Sequence, residues 1–271
     1  MTEKTKKNNE KSPEAPADAE YSALAPLYDA VNGEAFDYDG YASFAEKIFT
    51  EDGIEKGSLV LDLACGSGAL TLRLLDSGYD VIGVDLSPEM LNICREKCAD
   101  GGYSPLLLCQ DLCSLDLYGT VEGAVCTLDS LNYLTKKGEL DSFFGRLKNF
   151  ISPNGIFIFD INTERKFSEI YGSNSYTYDE NGVFCVWQNS YSEKTRLCDF
   201  DLTFFEKQKN GLYRRREEHQ RERCHTDGEI AAAAERGGFE IIGRYRDFDK
   251  TPSDGSEYRR FYILRRKEYS I

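Results

Sequence analysis

Residues 59–75 constrain this chain more than any other stretch. Leu59-Val60-Leu61 is an apolar run that meets an acid at Asp62 and then breaks into small residues, Ala64, Cys65, Gly66, Ser67 and Gly68. A helical pattern follows at Leu70, Leu72, Leu74 and Leu75. The order predicts strand, tight turn, helix. Small residues in such a turn let a ligand come within touching distance of the backbone, which Cβ atoms would block. A phosphate loop would need Gly-Lys-Ser/Thr, which is missing, and the dinucleotide fingerprint Gly-x-Gly-x-x-Gly fails because Thr71 holds the third glycine position.

Three further strand ends carry ligand-capable residues. Tyr79 to Val84 runs into Asp85, 17 residues after Gly68, and Ser87-Pro88 then supplies an N-cap and a first helical residue. A carboxylate at that place can accept hydrogen bonds from both hydroxyls of a ribose. Alternatively, it is a loop or capping acid. Pro105 to Cys109 ends at Gln110-Asp111-Leu112, and Gly123 to Thr127 ends at Leu128-Asp129-Ser130-Leu131-Asn132-Tyr133-Leu134.

The stretch 62–68, of the form Asp-x-x-x-Gly-x-Gly, resembles the first motif of the class I S-adenosylmethionine-dependent methyltransferases. Ala64 departs from the family, which usually has its first glycine there. The resemblance spans about residues 21–163 and returns at 226–271. It implies S-adenosylmethionine as cofactor, with S-adenosylhomocysteine as product. It also implies that Asp85 and Leu86 hold the ribose, that Asp111 and Leu112 hold the adenine with Gln110 beside them in the candidate set, and that Ala64, Cys65 and Gly66 approach the methionyl part by backbone. Asp62, Gly68, Met90, Leu128 and Tyr133 complete the candidate cofactor set. In the family a leading helical segment lies over the cofactor; residues 21–51 match it, and Tyr28 could face the sulfonium, since aromatic faces attract cations by ~0.5–2 kcal/mol. Plain core packing is the other reading of Tyr28.

Composition and charge narrow the classes. The chain has 271 residues, 41% of them hydrophobic, enough for one large domain or a core with an insertion. No run approaches the ~18–20 apolar residues of a membrane span. Residues 1–19 have no apolar core, which argues against a signal peptide and reads as a disordered tail. A formal net charge of −14 disfavours nucleic acid and anionic membrane as partners. Nine cysteines lack both the even count of a disulfide framework and the Cys-x-x-Cys pairs of a zinc site. Reduced thiols packed as small hydrophobes fit better, which points to the cytoplasm and to no bound metal.

Alternating strands and helices with apolar strands predict a doubly wound, mostly parallel seven-stranded α/β sheet, Rossmann-like. Its fifth strand, Ile156 to Ile161, follows the turn Pro153-Asn154-Gly155. Residues 172–225 break the rhythm: Val183 to Tyr191, Thr195 to Phe205 and Leu212 to Cys224 read as antiparallel strands, with Asn181-Gly182 and Asn210-Gly211 as turn signals. The helix after Thr226-Asp227 leads into two last strands, Phe239 to Phe248 and Tyr258 to Arg265. Such a closing antiparallel hairpin is a family hallmark and argues against a dehydrogenase. The expected organisation is therefore a core of residues 20–163 and 226–271, with residues 164–225 as an antiparallel β-rich lid.

Two residues are candidates for catalysis. Alternation puts His219 on one face of the last lid strand with Tyr213, Arg215, Glu217, Arg221 and Arg223. It is either a proton acceptor over the substrate or part of a solvated charged strand. Asp129 reads as a base, as a ligand to an amino group, or as a loop acid. Methyl transfer from a sulfonium asks mainly for orientation, because the cofactor carries the reactivity. The expected function is methylation of a small molecule by in-line transfer. Two alternatives stand beside it: an enzyme that alters S-adenosylmethionine without methylating an acceptor, and a non-catalytic cofactor-binding regulator. Neither the acceptor nor the oligomeric state is legible in the sequence.

Overall fold

A computed structural model describes residues 36–180 and 182–268. Tyr28, the tail 1–19 and Asn181 lie outside the described residues. Seven strands form one sheet: β1 (Leu59–Leu63), β2 (Asp80–Asp85), β3 (Leu106–Cys109), β4 (Val121–Cys126), β5 (Ile151–Asn162), β10 (Phe239–Tyr245) and β11 (Arg259–Arg266). Their order is β10-β11-β5-β4-β1-β2-β3, and only β11 runs against both of its neighbours. This is the doubly wound sheet with a closing hairpin that the sequence predicts.

Helices cover both faces, which is why the central strands are apolar on both sides. On one face α1 (Tyr38–Glu51) and α2 (Ala69–Asp76) pack Tyr41, Phe44, Phe49, Leu70 and Leu74 against Val60, Val125 and Ile158. On the other, α4 (Glu139–Leu147) and α5 (Asp227–Arg236) pack Phe143, Phe144, Leu147 and Ile230 against Leu61, Phe157 and Phe159. Helix α3 (Pro88–Asp100) starts as predicted, with Ser87 Oγ accepting from the Met90 amide and Pro88 at the first turn.

The inserted sheet has four strands where three were expected: β6 (Ser175–Glu180), β7 (Val183–Ser192), β8 (Leu197–Lys207) and β9 (Tyr213–Arg223), paired antiparallel in that order. The alternating Tyr176 and Tyr178 were the signal for β6. The sheet owns a separate apolar cluster around Phe167, Tyr171, Phe200, Leu202 and Phe204. Phe167 and Tyr171 come from a π-helical segment, Lys166–Tyr171, that joins β5 to β6. Helix α4 is shorter than the 137–151 expected. Pro153-Asn154-Gly155 falls inside β5 as an irregularity, where the β4 register jumps from Val121↔Ile151 to Gly123↔Ile156. Seven of the nine cysteines are buried, which supports their role as packing residues. No helix among the described residues is long and apolar enough to cross a membrane.

Candidate active site

A cavity of about 480 Å³ opens beyond the carboxyl ends of β1, β2 and β4. Open α/β sheets bind ligands at such carboxyl ends, where the strand order reverses. Its walls gather Ala64, Cys65, Gly66, Asp85, Leu86, Met90, Gln110, Asp111, Leu112, Leu128, Tyr133 and His219 from the candidates, together with the unforeseen Tyr38, Ser87, Thr127, Ser130, Lys136, Glu139 and Arg221. Three candidates lie off this wall: Asp62, Gly68 and Asp129.

The glycine turn is built by left-handed backbone. Ala64, Gly66 and Gly68 have φ of 53°, 53° and 80°. At Ala64 this costs about 1–2 kcal/mol, which explains why a glycine suits the position. Nothing lies within 4 Å of where a Gly66 Cβ would stand, so this part of the turn is an open cradle. A Cβ on Gly68 would instead press into Cys94, so that glycine serves the packing of α2 against α3. Asp62 is fully buried; its Oδ2 accepts from Thr71 Oγ1 at 2.6 Å, tying β1 to α2. Its Oδ1 has no hydrogen-bond partner among the described residues, and burial pushes its carboxyl up to about 7.

Asp85 fastens β2 to the turn. Its Oδ2 accepts from the Gly66 amide and its Oδ1 from the Ser87 amide, both at 2.8 Å. A carboxylate oxygen has a second lone pair, so one remains on each for a ribose hydroxyl. Leu86 beside it is 56% exposed, an apolar surface suited to a nucleoside. Asp111 Oδ1 accepts from the Cys113 amide at 2.7 Å and caps the short helix Leu112–Ser114. The Gln110 side chain is zipped to the Asp116 backbone through both its ends. The open cradle at Gly66, the spare lone pairs on Asp85 and the apolar shelf at Leu86 fit an adenosyl group.

The neighbouring wall, at the end of β4, is held by longer-range bonds. Leu128 and Asp129 both have left-handed backbone, φ 55° and 54°. Their amides donate to Asp160 Oδ1 and Oδ2, each at 2.9 Å. Arg259 spans Asp160 and Asp129, with its Nη2 2.7 Å from Asp129 Oδ1. Burial pushes the Asp129 carboxyl up, but the charges of Arg259 and Lys166 outweigh it and hold the group below the usual carboxylate range. Asp129 is thus clamped by Arg259 and set off the cavity wall.

The short helix Ser130–Tyr133 is stitched to the lid. Asn132 Nδ2 donates to the Arg223 carbonyl at 2.8 Å, Tyr133 OH to Gln220 Oε1 at 2.9 Å, and His225 Nε2 lies 3.2 Å from the Leu131 carbonyl. On β9 the predicted alternation holds. Glu218, Gln220 and Glu222 face inward and are buried, whereas His219 and Arg221 face the cavity. Asn162 Nδ2 donates to Glu222 Oε2 at 3.2 Å across the seam. Burial, then Asp129, pushes the Glu222 carboxyl well up. His219 Nδ1 lies 2.8 Å from Asp201 Oδ1, and its Nε2 lies 3.5 Å from Asp199 Oδ1. Sequence reasoning gave no role to Asp160, Asn162 or Arg259. A polar residue inside the apolar run 156–162 was the available signal.

Comparison with known proteins agrees with this geometry. A methyltransferase-domain family model matches residues 60–155. A protein of Geobacillus sp. (strain WCH70), provisionally named a methyltransferase, is 28% identical over 247 residues, which cover 91% of this chain and 99% of that one. A dTDP-3-amino-3,6-dideoxy-alpha-D-glucopyranose N,N-dimethyltransferase of Streptomyces fradiae is 31% identical over 142 residues, 52% of this chain and 54% of its own. The crystal structure of an S-adenosylmethionine-dependent methyltransferase from Clostridium acetobutylicum superposes with a TM-score of 0.83 at 29% identity, covering 92% of this chain and 99% of that one. With a methyltransferase domain matched at the glycine turn and likeness to such proteins along nearly its whole length, this chain belongs to the class I S-adenosylmethionine-dependent methyltransferases.

Proposed function

We propose that the enzyme methylates a nucleophilic atom of a small polar molecule seated between residues 127–134 and strand β9. The observation that carries this reading is a single cavity with two unlike ends. One is the backbone cradle with Asp85 and Leu86; the other carries Ser130, Tyr133, His219 and Arg221.

In this reading Asp85 fixes the ribose, Leu86 and Leu112 bracket the adenine with Asp111 at its edge, and the turn 64–66 approaches the methionyl part. Bound S-adenosylmethionine supplies an already activated methyl group. The chain's task is then to orient the acceptor in line and to exclude water. Residues 164–225 serve as the lid, and residues 20–163 with 226–271 as the cofactor-binding core. His219, steadied through Nδ1 by Asp201, takes the proton that a hydroxyl acceptor loses; an amine that arrives neutral needs no such help. The name of the Streptomyces relative favours an amine on a polar small molecule.

The test is mass spectrometry of the enzyme with S-adenosylmethionine and a panel of amino sugars, amino acids and hydroxylated small molecules. S-adenosylhomocysteine formed together with an acceptor heavier by one methyl group supports the reading. A cofactor changed without a methylated acceptor, or bound with no turnover across the panel, would favour the two alternatives.

A further inference from the structure

The wall of the cavity beside the glycine turn, at the end of β4, rests on a backbone conformation that its residues do not favour by themselves. Leu128 and Asp129 follow one another with φ 55° and 54°, and Leu128 lies on the cavity wall. Neither is a glycine, so something must hold them there.

Three charged groups do so. Asp160 is fully buried at the end of β5, and each of its oxygens takes one of the two strained amides. Arg259 begins β11, where it pairs with Asn162 on β5 and so stands diagonal to Asp160, whose own partner is Phe261. One arm of its guanidinium meets Asp160, the acid that holds the turn, and the other meets Asp129 in the turn itself. The fork thus ties β5, β11 and the turn at one point. Phe36 covers the guanidinium, its ring centroid 5.5 Å away. Arg259 is not on the cavity wall.

We propose that Arg259 is a positioning residue for methyl transfer. It acts through Asp160 and Asp129 to fix the turn 127–130 and, through the following Ser130–Tyr133 helix, the seat of β9 above the acceptor. A planar fork can bridge two carboxylates at once, whereas a lysine ammonium is a point charge on a flexible stem. Charge alone at this position is therefore insufficient. The proposal rests on the reading that this wall faces the acceptor, but its test needs no acceptor.

The test is hydrogen exchange read by mass spectrometry, with S-adenosylhomocysteine binding by calorimetry, on the wild type, Arg259→Lys and Arg259→Ala. Both variants should exchange at residues 128–134 about tenfold faster or more, the change equivalent to one lost charge-assisted bond, while residues 64–72 keep their protection. Affinity for S-adenosylhomocysteine should stay within about threefold, because the ribose and adenine contacts at Asp85, Asp111 and Leu112 come from other strand ends. Millimolar guanidinium, but not sodium chloride at equal concentration, should restore protection at 128–134 in Arg259→Ala. Unchanged exchange at 128–134, full protection in Arg259→Lys, or a loss spread evenly over the chain would each overturn the proposal. The last outcome would mark Arg259 as a general structural residue.

Discussion

The two ends of the cavity are built by different means. The adenosyl end is local: residues 62–68, Asp85 and Asp111 lie at the ends of adjacent strands, and their main bonds are to backbone amides within or between those ends. The acceptor end is assembled from afar. Arg259 reaches Asp129 across 130 positions of sequence, Asn132 reaches the Arg223 carbonyl across 91, and Tyr133 reaches Gln220 across 87. Local construction preserves a fixed ligand with short motifs. Long-range construction leaves the acceptor seat dependent on the lid, so it can be reshaped without disturbing the cofactor.

The largest effect that separates the two ends belongs to Asp160. Its removal leaves the Arg259 guanidinium with one partner fewer in a buried place, so Asp160→Ala should lose about 3–5 kcal/mol in denaturant unfolding. A loss below 1 kcal/mol would mean that the turn 128–129 holds itself.

Acid offers the next contrast, because each end carries a buried group titrating in the opposite sense. Burial, then Arg223, holds His225 down to about 4, below the ordinary histidine value. The unfolded chain therefore binds the proton first, and stability falls as pH drops from about 6.5 to about 4, by up to about 3 kcal/mol. Asp62, raised to about 7, contributes stability that is full below about 4 and is lost as pH rises through 7. The two slopes oppose each other in the wild type. His225→Gln should leave a protein whose stability declines from pH 4 to 7, and Asp62→Asn one that weakens more steeply on acidification. Unfolding curves across that range that look alike in both variants would remove these two groups from the account.

Smaller effects fall on the adenosyl end. Asp85→Ala should weaken S-adenosylhomocysteine binding by about 1–3 kcal/mol in calorimetry, the cost of losing hydrogen bonds to a charged group. The acceptor-end variant Arg221→Ala should leave that affinity almost unchanged. Ala64→Gly should raise stability by about 0.5–1 kcal/mol, since relief of left-handed strain exceeds the entropy a glycine adds to the unfolded chain. A destabilised Ala64→Gly would show that the alanine methyl makes a packing contact worth more than the strain.

This division also decides what could be read from the sequence. The glycine turn, Asp85, Ser87-Pro88 and the closing hairpin were legible because each is a short-range pattern of backbone demands and strand-end acids. β6 went unseen because its tyrosines and acids resemble a loop without the pairing partner at β7. Alternation put His219 and Arg221 on one face of β9, and both line the cavity, but it could not say which face that would be. The inward Glu222 and Gln220 were read only as polar residues of a charged strand, since nothing local reveals that Asn162 and Tyr133 wait opposite. The clamp on Asp129 was illegible because Arg259 comes from β11, 130 positions away.

The most direct measurement is a crystal structure with S-adenosylhomocysteine bound. The account predicts the ribose hydroxyls on Asp85, the adenine beside Leu86 and Leu112, and the sulfur directed toward Leu128, Tyr133 and His219. A nucleoside bound away from the Gly66 cradle, or a sulfur turned from the β9 side of the cavity, would contradict it.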